Sequence, residues 1–144
     1  LFNKGVRLGT LDRSEEAIGV YDDVVARFGA AAELALREQV ATALFNKGVT
    51  LGTLGRSEEE IGVYDDVVAR FGAATELALR EPVAKALVNK GVTLGTLDRS
   101  EEAIGVYDDV VARYGAAKEP ELKEIVERAR KRMDSLKGKP PAER

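Results

Sequence analysis

The 144-residue sequence contains no cysteine and no histidine. Without cysteine there is no disulfide, no thiolate nucleophile and no thiolate metal ligand. Without histidine the usual general base and the commonest metal ligand are both missing. A basic surplus is missing too. Lys and Arg number 22 against 25 Asp and Glu, giving a formal charge of −3 and a pI near 5.2. Nucleic-acid binders usually carry a basic face, and none is visible here. No apolar run approaches the roughly 18 to 20 residues of a membrane span. No signal peptide is recognisable, and no Walker-type or GxGxxG loop occurs. The expectation is a non-enzymatic protein with no metal, no cofactor and no nucleic-acid or membrane partner. A reducing, cytoplasmic setting is compatible with these absences.

What is present is a core-forming composition, 44% apolar and 33% charged, and a repeat. Residues 1–43, 44–86 and 87–129 align without gaps. The first two copies agree at 37 of 43 positions, the first and third at 33 of 43, and most differences in the third follow Lys118. A unit this short cannot bury its own apolar face, so the copies are expected to stack. Leu1 falls inside a unit, so the chain reads as a fragment whose first helix lacks its front half.

Each copy reads as two helices. The second is RSEEAIGVYDDVVARFG. Ser14, Ser57 and Ser100 are expected as N-caps, with glutamates in the first turn where the helix dipole favours them. Ile18, Tyr21, Val25 and Phe28 make an apolar stripe at helical spacing. Gly29, Gly72 and Gly115 are expected at C′. The first helix of a complete copy is expected from about Thr75 to Leu97. Pro82 either kinks it or begins it at N1. After residue 118, Leu122, Ile125, Val126, Ala129, Met133 and Leu136 form one narrow stripe in a charged segment, as in a helix that closes a stack. Residues 138–144 read as a flexible tail.

The stretch KGVTLGTL, residues 47–54, returns at 90–97 and as KGVRLGTL at 4–11. Each copy places two glycines four apart in a helix, at roughly 1 kcal/mol apiece relative to alanine. Something must compensate. The Asp pairs (Asp22-Asp23, Asp65-Asp66, Asp108-Asp109) do not converge on an ion, because neighbours on a helix diverge by about 100°. Asp23, Asp66 and Asp109 instead precede Arg27, Arg70 and Arg113 by four, the spacing of a helix ion pair. The recurring tyrosines and phenylalanines lie at core spacing.

This pattern resembles the tetratricopeptide repeat family, in which antiparallel helix pairs stack into a right-handed superhelix. In the middle copy the family frame falls on Leu44, Lys47-Gly48, Leu51, Glu60, Tyr64 and Gly72. Gly48 and Tyr64 match well; Lys47 for Leu, Glu60 for Ala and Gly72 for Pro depart. The usual period is about 34 residues. The extra segment, AELALREQV in copy one and TELALREPV in copy two, lengthens the first helix by roughly 13 Å, similar to the long repeats of kinesin light chains and some bacterial arrays.

The resemblance implies an all-α fold of about seven helices. Three repeats would span 1–117, the first truncated, with a closing helix over 118–137. It implies that Gly5, Gly48 and Gly91 sit at close helix crossings, facing Ala17, Glu60 and Ala103. Glu60 is then expected to widen its helix pair and turn its carboxylate to water, or to close a capping box with Ser57. Gly9, Gly52 and Gly95 either pack neighbouring first helices or notch a groove floor. The implied function is a scaffold that binds an extended peptide or protein in its concave groove. The groove would be lined by Phe2, Asn3, Val6 and Thr10, by Phe45, Asn46, Val49, Gly52 and Thr53, and by Val88, Asn89, Val92, Gly95 and Thr96. The asparagines either hold a ligand backbone or bond across helices. The rival expectations are self-association through the open N-terminal end, as a head-to-tail or swapped oligomer, and an engineered repeat array.

Overall fold

The computed structural model describes residues 2–138, of which 2–12 by their backbone only. They form six helices: α1 (Phe2–Phe28), α2 (Leu34–Thr53), α3 (Ser57–Phe71), α4 (Leu77–Thr96), α5 (Ser100–Tyr114) and α6 (Pro120–Lys137). Among the described residues there is no strand. Each helix packs on the next in chain order, and α4 also touches both α2 and α6. One continuous core follows, from Val40 and Leu44 through Tyr64, Leu87 and Tyr107 to Ile125 and Met133.

Six helices, not seven, result because the first unit does not break. α1 runs straight through the segment expected to turn between Leu11 and Ser14. Residues 8–27 are identical to residues 94–113, yet the latter end α4, turn at Asp98 with φ 62°, and start α5. The difference is tertiary. At the second location α4 is held between α2 and α6, and Arg99 Nη1 reaches Glu58 of the preceding unit at 3.1 Å. Among the described residues the only helix that α1 packs on is α2. A left-handed aspartate and a broken helical ladder are unfavourable unless packing offsets them. In the middle unit the same turn uses Gly55, φ 75°, where glycine carries no such penalty.

The ends also differ from expectation. The N-cap positions of α3 and α5 are Arg56 and Arg99, neither with a side-chain cap bond. Their guanidiniums instead bond Glu59 and Glu102 in the first turn. Ser14 lies inside α1. Gly72 and Gly115 close their helices in right-handed conformation, φ −61° in both. Arg113 Nη1 donates to the Gly72 carbonyl at 3.3 Å, satisfying a terminal acceptor from the following unit. Pro82 neither starts nor shortens α4. It sits inside a 20-residue helix, the same length as α2, which has Gln39 there.

Gly48 and Gly91 do lie at close crossings, but against tyrosine; Gly5 lies outside the residues described beyond their backbone. A Cβ on Gly48 would stand 2.3 Å from Tyr64 Cε1, and one on Gly91 2.5 Å from Tyr107 Cε1. Both tyrosines are fully or almost fully buried, at 0% and 2% exposure. Each ring occupies the space a side chain would take, so burial of a large aromatic offsets the glycine's entropic cost.

Ion pairs tie successive units at a constant register. Lys47 Nζ meets Asp22 and Lys90 Nζ meets Asp65, both at 2.6 Å. Arg56 meets Glu15 and Arg99 meets Glu58, both at 3.1 Å. Lys47, a departure from the family pattern, therefore has a partner one helix back. Asp23, Asp66 and Asp109 pair with Arg27, Arg70 and Arg113.

We predict that Gly48→Ala lowers stability by about 1–3 kcal/mol through overpacking. Gly62, which has open space where its Cβ would be, should give the opposite sign: Gly62→Ala raises stability by up to about 1 kcal/mol. Urea unfolding of both variants is the check. A neutral Gly48→Ala would mean the tyrosine ring is not fixed in the notch.

Candidate functional site

The face shared by α2 and α4 carries a hollow of about 410 Å³. Its walls are Val49 and Val92, one from each helix, with Gly52, Thr53 and Thr96 beside them. Its floor is polar: Glu60 and Tyr64 of α3, Asn89 and Thr93 of α4. Helical spacing brings the walls together, since Val49, Gly52 and Thr53 lie one turn apart on α2, as Val92 and Thr96 do on α4.

The polar floor is a connected network. Tyr64 OH donates to Glu60 Oε2 at 2.9 Å, and Thr93 Oγ1 donates to Glu60 Oε1 at 3.0 Å. Asn89 Nδ2 lies 3.5 Å from the Tyr64 oxygen. Burial pushes the Tyr64 phenol well above the usual phenol range. The Asn89 hydrogen bond opposes this, and the neighbouring Glu60 carboxylate reinforces it. Thr53 and Thr96 donate to the carbonyls of Val49 and Val92, one turn back on their own helices. Their protons are thereby committed and their lone pairs remain.

Glu60 overturns one expectation. Its side chain does not turn to water: the residue is 7% exposed. Nor does it cap Ser57, since its two oxygens go to Tyr64 and Thr93. Gly52, the second glycine of the motif, makes the room. A Cβ there would stand 2.7 Å from Glu60 Oε2. In the third unit, where Ala103 replaces Glu60, a Cβ on Gly95 would meet nothing within 4 Å. Gly95 instead opens into a second hollow of about 270 Å³ with Val92, Thr96, Tyr107 and Arg132. The first glycine thus faces tyrosine, and in the middle unit the second, Gly52, faces Glu60.

Val49, Gly52, Thr53, Asn89, Val92 and Thr96 therefore converge on one hollow, and Gly95 joins Val92 and Thr96 in the next. Asn46 lies apart, in a hollow of about 520 Å³ between α1 and α2. Phe45 is partly buried with its ring 6.1 Å from that of Tyr64. Val88 is a core residue, 4% exposed. The side chains of Phe2, Asn3, Val6 and Thr10, and the surroundings of Gly9, lie outside what is described. Of the two roles open to the asparagines, Asn89 reaches across helices to Tyr64. Glu60, Tyr64 and Thr93 were not singled out for this face from the sequence. The signal available was Glu60 itself, a charged residue where two copies have alanine.

Among the described residues no cluster of three or more carboxylates could hold a metal ion, and no helix is long and apolar enough to cross a membrane. Comparison with family models, with curated proteins and with solved structures finds no match.

The raised phenol predicts an alkaline weakness. An unfolded tyrosine ionises near pH 10. Stability from Tyr64 should be complete below that pH and fall as pH rises above it, because the unfolded chain releases a proton that the fold retains. Tyr107 and Tyr114, also raised by burial, contribute likewise. The urea midpoint, followed from about pH 8 to 11, should decline less steeply in Tyr64→Phe. An unchanged slope would show that this phenol is not held protonated.

Proposed function

We propose that the chain is a right-handed stack of tetratricopeptide-like helix pairs. Its inner face, where α2, α4 and α6 lie side by side, is a groove that binds an extended peptide or a segment of a partner protein. The supporting observation is the convergence of Val49, Gly52, Thr53, Asn89, Val92 and Thr96 on one open hollow between α2 and α4. Val49 is 41% exposed there, an apolar anchor point beside hydrogen-bonding groups, as a peptide site requires. No enzymatic role is proposed. The test is fluorescence anisotropy with peptides recovered by panning a displayed 12-residue library on the chain. We expect Val49→Asp to weaken binding roughly tenfold or more, the scale of a charge placed in an apolar anchor site. Ala112→Asp, on an exposed position of α5, should leave it unchanged. Equal binding by all three proteins would sink the groove assignment.

Self-association is the second reading, favoured by a specific asymmetry. Val20 is 61% exposed, and Tyr21 and Val24 are only partly buried. Their counterparts Tyr64 and Val67 are at 0% exposure. The hollow they share with Thr42 and Asn46 is an apolar face on α1 and α2. Light scattering after size exclusion separates the readings: a mass that climbs with concentration favours association, and a constant monomer mass removes it.

A further inference from the structure

Glu60 stands where the first and third copies carry Ala17 and Ala103. It is nine-tenths buried, and its two bonding partners, Tyr64 and Thr93, are neutral hydroxyls. Among the described residues no ammonium or guanidinium pairs with it. The bases nearby in sequence are committed elsewhere: Lys47 to Asp22, Lys90 to Asp65, Arg56 to Glu15 and Glu59. Its place in the first turn of α3 gives some help from the helix dipole. Two neutral donors and a dipole do not replace the hydration of a carboxylate, and an opposite charge is the usual compensation. Two of its roughly four lone-pair sites remain unused.

The hollow above it has few free donors. The hydroxyl protons of Thr53 and Thr96 are tied to their own helices, and one Asn89 N–H points at Tyr64; the second Asn89 N–H and the Ser57 hydroxyl are what is left. What distinguishes the site for an occupant is its acceptors, one of them a carboxylate, between two valine walls. We propose that this hollow takes the basic side chain, Lys or Arg, of an extended peptide. The methylene stem lies between Val49 and Val92 and the cationic head meets Glu60. A long basic side chain has this division, apolar along its stem and charged at its tip. The neighbouring hollow has no carboxylate in its lining, the residue equivalent to Glu60 in that unit being Ala103, and Arg132 is one of its lining residues. It therefore does not compete for the same cation, and the basic residue fixes the register of the peptide. This inference rests on the groove reading proposed above.

The test pans a 12-residue displayed library on the full chain, then measures the recovered peptides on wild type, Glu60→Gln and Glu60→Ala. Glu60→Ala installs the residue two copies already have, and thermal melts check that both variants fold. The expected wild-type pool has Lys or Arg at one fixed position. Its best peptide weakens roughly tenfold or more on either variant, as when one partner of a buried charge pair is removed. A peptide with norleucine at that position binds wild type and Glu60→Gln alike, closing a double-mutant cycle. A pool without a basic preference, or a basic peptide indifferent to Glu60→Gln, overturns the cation site and leaves the groove standing. A library that yields no binder overturns the groove and this inference together.

Discussion

The arrangement depends on one contact, a tyrosine ring seated in the gap of a glycine. Tyr64 lies on Gly48 and Tyr107 on Gly91, at distances no side chain could share. That contact sets how closely α2 approaches α3 and α4 approaches α5. It also sets where the phenol oxygen emerges. At Tyr64 the oxygen arrives beside Glu60 and within reach of Asn89, so the polar floor of the hollow is an extension of the core. The unfavourable backbone term of the glycine, the burial of the ring and the position of the carboxylate are one design problem with one solution.

Charge supplies what the apolar interlock does not, which is order along the stack. Exposed ion pairs contribute little each. Here they recur at fixed sequence offsets, Lys47 to Asp22 and Lys90 to Asp65, Arg56 to Glu15 and Arg99 to Glu58. Near-identical units could slide past one another or pair out of turn. A lattice of pairs that is satisfied only at one offset discriminates against those alternatives, even where it adds little to total stability. Arg37 over the Phe71 ring and Arg80 over the Tyr114 ring repeat the device with a cation on an aromatic face.

Much of this was legible in the residues. The period of the apolar stripe placed α3, α5 and α6, and the Asp–Arg spacing identified the intrahelical pairs. Core tyrosines were separable from base-stacking ones by their register. What escaped depends on neighbours. Serine before two glutamates is a sound cap signal, yet Arg56 and Arg99 take the position because their side chains find carboxylates on both their own helix and the previous unit. The partner of each glycine could not be read from a family frame, since the ring of Tyr64 rather than the side chain at 60 fills the first notch. Glu60 was visible as an exception but not its direction. Only the absent side chain at Gly52, a turn away on another helix, makes the buried position possible.

The twenty identical residues at 8–27 and 94–113 carry a consequence beyond the helix count. One word of sequence is a straight rod where a single neighbour touches it and a bent pair where α4 is held from both sides. Its shape is therefore information about company, not about composition. Such a segment behaves as a coupling between units: bent, it packs as two helices against its neighbours; straight, it presents one. Duplication can copy the word without copying its conformation, so lengthening a protein of this kind changes the meaning of residues that have not themselves been altered.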